Sequence, residues 1–140
     1  MKYLDTNVII YAIENHPEYG AACKKILQNI QSKNLSVASS MLVLIEIISV
    51  LNKINKILKK EGKELLNIKD NIDAILALPI VWFDINFFII KRAAEYSYNM
   101  AGADYIHLAS MESNSIIEII SVDEEFDKIS SIKRINPKNH

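Results

Sequence analysis

Asp5, Glu46, Asp104 and Asp123 are the residues whose placement points to chemistry. Asp5 closes a short apolar run at the N-terminus, and Asp123 directly follows the β-branched run Ile116–Val122. In open parallel sheets, ligands collect beyond the carboxyl ends of strands, which is where both acids fall. Asp104 opens a helical pattern whose Leu108 and Met111 share its side, so that side points inward. Glu46 interrupts the most apolar stretch of the chain, MLVLIEIISVL, between Ile45 and Ile47. An ionised carboxylate in such surroundings costs several kcal/mol unless it is neutralised, solvated or bound to a cation. The only arginines are Arg92 and Arg134, neither close in sequence. Acids brought together with few bases raise one another's pKa unless a metal ion replaces the protons. Oxygen-only ligation suits a hard dication, Mg²⁺ or Mn²⁺. Each acid also has a plain structural reading: Asp5, Asp104 and Asp123 as helix N-caps, and Glu46 on a solvent-facing strip with Ser49 and Lys53. The combination carries the signal.

The elements that must position these acids alternate between strand and helix. Strands are predicted at Lys2–Asp5, Leu35–Ala38, Ile80–Phe83, Ile116–Val122 and Lys133–Asn136. A helix through Val8 and Ile13 follows the first strand. Tyr19, Ala22, Cys23, Ile26, Leu27 and Ile30 mark a second, with Cys23 on the core side. Ser39 or Ser40 is expected to cap a long helix from Met41 to Lys60. The next helix runs from Leu65 to Leu76 and ends before Pro79. Another is expected from Asn86 to Met100, stopped at Gly102, and another over Asp104–Asn114. A helical turn at Glu124–Ile129 completes the reading. Strands alternating with helices imply an α/β sandwich around a parallel sheet.

With 140 residues, 50% hydrophobic and 24% charged, the chain suits one domain, residues 1–140. Lone Cys23 excludes a disulfide framework and favours a reducing compartment. His16, His107, His140 and that cysteine do not make a four-ligand zinc site. No apolar run is long enough to span a membrane, and Asp5 interrupts any secretory leader, so a soluble, cytoplasmic protein is expected. A net charge of −1 gives no general field for nucleic acid, so any such activity must come from a local site. Gly20, Gly62 and Gly102 lie too far apart for the glycine-rich loops that cradle dinucleotides or nucleoside triphosphates.

Four segments, YLDTNVII (3–10), SMLVLIEI (40–47), ADYIHLA (103–109) and SVDEEF (121–126), together resemble the PIN-domain ribonucleases, the family that supplies the toxins of VapBC toxin–antitoxin pairs. The resemblance spans nearly the whole chain. It implies a three-layer α/β/α sandwich with a five-stranded parallel sheet in the order 3-2-1-4-5. The family's acidic quartet falls on Asp5, Glu46, Asp104 and Asp123, with Thr6, Asn7 and Ser121 holding the carboxylates and Phe126 anchoring the last turn. Which of Glu124, Glu125 and Asp127 joins Asp123 at the metal stays open. The implied reaction is Mg²⁺- or Mn²⁺-dependent hydrolysis of an RNA phosphodiester, leaving a 5′-phosphate and a 3′-hydroxyl, with an antitoxin protein as partner. Two other readings compete: a PIN scaffold that binds RNA or a protein without cutting, and a haloacid-dehalogenase-type phosphatase. The latter needs an acid where Asn7 stands. His107 and Phe126 read as packed residues. The MLVLIEIISVL helix is apolar on more than one face, which fits either a homodimer or burial within the monomer. Lys53, Lys56, Lys59, Lys60 and Lys63 read either as a guide for RNA or as a solvated helix face.

Overall fold

A computed structural model describes all 140 residues. Five short strands form one sheet: β1 (Lys2–Leu4), β2 (Val37–Ser40), β3 (Val81–Phe83), β4 (Glu118–Ile120) and β5 (Lys133–Ile135). Their order is β3-β2-β1-β4-β5, and every neighbouring pair is parallel. β1 is therefore central, with the chain crossing first to one side and then to the other. This places the switch in strand order beside the carboxyl ends of β1 and β4, where Asp5 and Asp123 lie.

Alternation along the strands builds two cores. Leu4, Val37 and Ile120 enter a large cluster with Val8, Ile9 and Ala12 of α1 (Thr6–Ile13), Cys23, Ile26 and Ile30 of α2 (Gly20–Gln31), and Val43, Ile47 and Leu51 of α3 (Leu42–Lys60). Ile75 of α4 (Ile68–Leu76) closes that side. Their neighbours Tyr3, Ala38 and Ile119 point the other way, against Phe126 and against Leu108 and Met111 of α6 (Gly102–Ser113). A small third cluster ties Ile89 and Ala93 of α5 (Phe87–Ala93) to Ala109. Side chains of period two, buried on both faces, are what a covered parallel sheet requires. The result is the expected three layers in the expected strand order, with Cys23 and Phe126 fully buried.

Three local expectations are corrected. Ser39 and Ser40 continue β2 instead of capping α3, because both pair with β3 and Ser39 Oγ donates to the Leu4 carbonyl at 2.7 Å. Met41 takes the cap position, while Ser40 Oγ still accepts the Leu42 N–H. Asn86 caps α5 as expected, accepting from Ile89 N, but the helix ends at Ala93 and does not reach Met100. Tyr96 there packs on Tyr105, and the intervening SYN stretch has weak helix propensity. Gly102 opens α6 instead of ending a helix; its φ is not positive, so it lacks the left-handed conformation of a C-terminal glycine.

Candidate active site

β1 ends at Leu4, and the next residue turns the chain into α1. Asp5 caps that helix, its Oδ1 accepting Thr6 N at 2.7 Å. Its Oδ2 accepts from the Ser121 hydroxyl at 2.6 Å and the Asn7 amide at 3.0 Å. Asn7 Nδ2 also donates to Ser121 Oγ, and Asn7 Oδ1 accepts Val122 N. Ser121 Oγ in turn accepts Asp123 N at 3.0 Å. The ends of β1 and β4 are thus laced together by Asn7 and Ser121, and Asp5 is fixed among them with 6% of its surface exposed. Asp123 caps the 3₁₀ turn Glu124–Lys128 through Oδ1, which accepts Glu125 N; its other oxygen is free.

Glu46 reaches the same place from α3. Its Oε1 takes the Thr6 hydroxyl at 3.0 Å and His107 Nε2 at 2.6 Å, which leaves Oε2 to the cleft. His107, 1% exposed, is held at its other nitrogen by Tyr3 Oη at 2.6 Å, and Tyr3 Oη accepts Ser40 N. A neutral imidazole protonated on Nε2 satisfies every group of this chain; a charged one keeps the same donation to Glu46. The solvent-strip reading of Glu46 is therefore overturned: two site residues grip it. Asp104 is likewise not a cap. Ala101 holds that position, and Asp104 is the third residue of α6, in its first turn, where no hydrogen bond reaches its carboxylate.

Asp5, Glu46, Asp104 and Asp123 line a single cleft of about 290 Å³ together with Thr6, Asn7, Ile10, Tyr11 and Val50. None of the four pairs with lysine or arginine; His107 is the only cationic partner, and only for Glu46. The electrostatics follow. Burial raises the Asp5 carboxyl, against the pull of His107 and the Ser121 hydrogen bond. Burial, then the charges of Asp5 and Asp123, push Asp104 up to about 6. Burial also works against the Glu46 carboxylate, but the His107 bond and charge outweigh it and hold Glu46 below the usual range. For His107 burial opposes protonation, yet Glu46 and Asp5 raise it overall.

The donor set fits a hard dication. The uncommitted polar atoms of the cleft are carboxylate oxygens and the Tyr11 hydroxyl, all oxygen donors, and the uncompensated charge on Asp104 is what a cation would relieve. No three His, Cys, Asp or Glu side chains close into a ready-made chelate, so the acids line walls across which an ion would be shared. Among the acids after Asp123, Asp127 is taken by the Arg134 fork and Glu125 by Lys128. Glu124 is the one that lines an adjoining depression with Asn7, Tyr11, Val122 and Asp123.

His107 and Tyr3 are the site residues that sequence reasoning did not assign. Both have a local signal. His107 stands three residues after Asp104, hence on one helix face with it, and Tyr3 stands two before Asp5 on one strand face.

A toxin–antitoxin complex from Klebsiella pneumoniae superposes with a TM-score of 0.65 at 19% identity, covering 98% of both chains. VapBC2 from Rickettsia felis, bound to a promoter DNA fragment, gives 0.67 at 20% identity over 97% of this chain and 98% of that one. Mycobacterium tuberculosis VapC20, a toxin that cleaves the sarcin–ricin loop, gives 0.68 at 13% identity over 93% and 95%. No curated protein sequence matches the chain. The PIN domain family matches residues 2–132, nearly the full length, and the chain belongs to the PIN-domain family.

Proposed function

We propose that the chain is an Mg²⁺- or Mn²⁺-dependent endoribonuclease and the toxin of a toxin–antitoxin pair. The observation that carries this reading is the cleft itself: four carboxylates on one wall system, three of them without any cationic partner. Asp5, Asp104 and Asp123 would hold the ion, with Glu46 Oε2 as a further oxygen. Bound there, a hard dication supplies an acidified water and positive charge for the phosphoryl oxygens. Ser121, Asn7 and Thr6 N fix the Asp5 carboxylate in one orientation. His107 keeps Glu46 ionised and Thr6 fixes its rotamer, so Glu46 is available as a negative group at the reaction's operating pH. In the hydrolysis a water oxygen bonds to phosphorus and the P–O3′ bond breaks, giving a 5′-phosphate and a 3′-hydroxyl.

Lys53 and Lys60 continue the Glu46–Val50 face of α3, both exposed, and would guide the backbone of the strand toward the cleft. The antitoxin rests on the neighbours, several of which are toxin–antitoxin complexes. A homodimer is supported by α3: its inner face is buried, yet Ile45 and Ile48 on the outer face are 57% and 41% exposed. The phosphatase reading has no support here, since the Asn7 amide donates to Asp5 where an acid is required. No helix is long and apolar enough to cross a membrane.

Purified protein is expected to degrade a structured RNA with Mn²⁺ or Mg²⁺, and Asp5→Asn to abolish the activity. Equal cleavage in EDTA would remove the metal from the proposal. Retained RNA binding with no cleavage under any divalent ion would make the chain a binding scaffold instead.

A further inference from the structure

Carboxylates and an ion treat every phosphate alike, so the cleft as described has nothing with which to grip a base. Tyr11 stands at its rim. It lies one turn after Asn7 on α1 and lines both the acidic cleft and the adjoining depression bounded by Val122, Asp123 and Glu124. Its hydroxyl bonds to no protein group. Two further rings back it. Tyr11 stacks on His16 with centroids 4.2 Å apart and planes 29° from parallel, and on Tyr19 at 5.9 Å and 24°. His16 is itself pinned, its Nδ1 accepting the backbone N–H groups of Glu18 and Tyr19 at 3.1 Å each. Lys138 Nζ sits 4.7 Å over the Tyr19 ring and is steadied by Glu18.

Tyr11 and Tyr19 pack against the large core cluster, which fixes where the rings stand. Val8, Ala12, Cys23 and Ile26 of that core are buried, whereas all three rings stay partly exposed and keep surface that the core does not use. What the rings provide is a pre-set aromatic surface, with little side-chain freedom left to lose, beside the acids.

We propose that Tyr11, held by His16 and Tyr19, is a stacking platform for one nucleobase of a single-stranded RNA, next to the phosphate placed in the acidic cleft. This rests on the ribonuclease reading and adds to it a grip on one base beside the cleaved phosphate. Bases of a duplex are already stacked on their neighbours, whereas unpaired bases are free to meet an aromatic ring. Stacking of one base on such a ring strengthens binding by about tenfold and tolerates any base.

The test uses a fluorescent single-stranded oligoribonucleotide with Mn²⁺. After the cleaved bond is mapped, versions carrying one abasic ribonucleotide at each flanking position are compared. One position is expected to raise KM about tenfold with kcat nearly unchanged. Tyr11→Leu should raise KM for the intact strand by the same factor and make that abasic strand no worse, the non-additivity of two partners in one contact. Tyr11→Phe should behave as wild type. The platform is overturned if the abasic penalty is equal in wild type and Tyr11→Leu, or if Tyr11→Phe loses as much as Tyr11→Leu. If no strand is cut, the ribonuclease reading fails by itself. The platform is then judged by fluorescence anisotropy: it stands only if intact strand binds about tenfold tighter than abasic strand and Tyr11→Leu erases that difference.

Discussion

Removing the Asp104 carboxylate should make this protein more stable, and the effect can be worked out. That carboxyl stands at about 6 against an ordinary 3.8, through burial first and the charges of Asp5 and Asp123 second. A folded-state value above the unfolded one means that the native protein holds the extra proton, so stability is complete below pH ~4 and declines as pH rises through ~6. Two units correspond to about 3 kcal/mol at full effect. Asp104 is only half-buried, and solvent screening reduces this to roughly 1–2 kcal/mol. Asp104→Asn keeps the shape, loses no hydrogen bond and deletes the charge. Without metal at pH 7.5 it should raise the melting temperature by about 3–6 °C, taking ~3 °C per kcal/mol for a chain of this size. About half of the gain should be gone at pH 5. Saturating Mn²⁺, at ~100 times its Kd, should add about 2.7 kcal/mol to the wild type and distinctly less to the variant. Calorimetry at two pH values, with EDTA and with Mn²⁺, reads all four quantities. A variant that melts lower than wild type in EDTA at pH 7.5, or that gains as much from Mn²⁺, would refute the account of Asp104 as a strained metal ligand.

His107→Gln should weaken the protein most between pH ~4.3 and ~6.5, the ordinary glutamate and histidine values. The raised histidine loses its contribution as pH climbs through its folded value, and the lowered Glu46 loses its own as pH falls through the corresponding value. Denaturant titrations at pH 5.5 and pH 9 check this, and a penalty that grows toward pH 9 contradicts it. Ser121→Ala deletes the 2.6 Å bond to Asp5 and the acceptor for Asp123 N. It is expected to cost about 1 kcal/mol and to weaken Mn²⁺ binding about 10-fold or more, read by calorimetric titration. Ile48→Glu places a charge on the exposed face of α3; if α3 carries the proposed dimer, light scattering should find wild type dimeric and the variant monomeric, and a monomeric wild type contradicts the dimer.

Much of the frame was legible because it is written locally. Strand runs ending at an acid gave the positions of Asp5 and Asp123, and the capping expected of both occurs alongside their place in the cleft. For them, helix cap and site residue are one arrangement: a cap turns the carboxylate toward the carboxyl end of the sheet, where the cleft opens. Glu46 was legible as a charge that an apolar run had to explain. What was not legible depends on elements crossing far along the chain. Ser39 reads as a cap by its type, but its hydroxyl answers the Leu4 carbonyl on the neighbouring strand. The end of α5 is decided by Tyr96 turning onto Tyr105, a tertiary contact that helix propensity does not contain. The Tyr3–His107–Glu46 chain joins β1, α6 and α3, and the ring types alone do not reveal which partners they will meet.

The same geometry divides the four acids into two kinds. Asp5 and Glu46 are saturated on one or both oxygens by Thr6, Asn7, Ser121 and His107, so their orientation is set before any ligand arrives. Asp104 has no donor and Asp123 has one, a backbone N–H, so these two bear the charge that the protein itself leaves uncompensated. A site built wholly of the first kind would have little left to offer a cation, since its lone pairs are spent. One built wholly of the second kind would repel itself apart or take up protons near neutral pH, as Asp104 already tends to do. Combining them fixes half of the donor oxygens in place and leaves the other half electrostatically unsatisfied. If the proposed dication binds, the free energy released should be drawn chiefly from Asp104 and Asp123, the two acids that the protein leaves unpaired. For that reason substitutions at Asp104 and at Ser121 should separate cleanly: the first relieves charge and stabilises the empty protein, whereas the second loosens Asp5 and destabilises it, although both weaken metal binding.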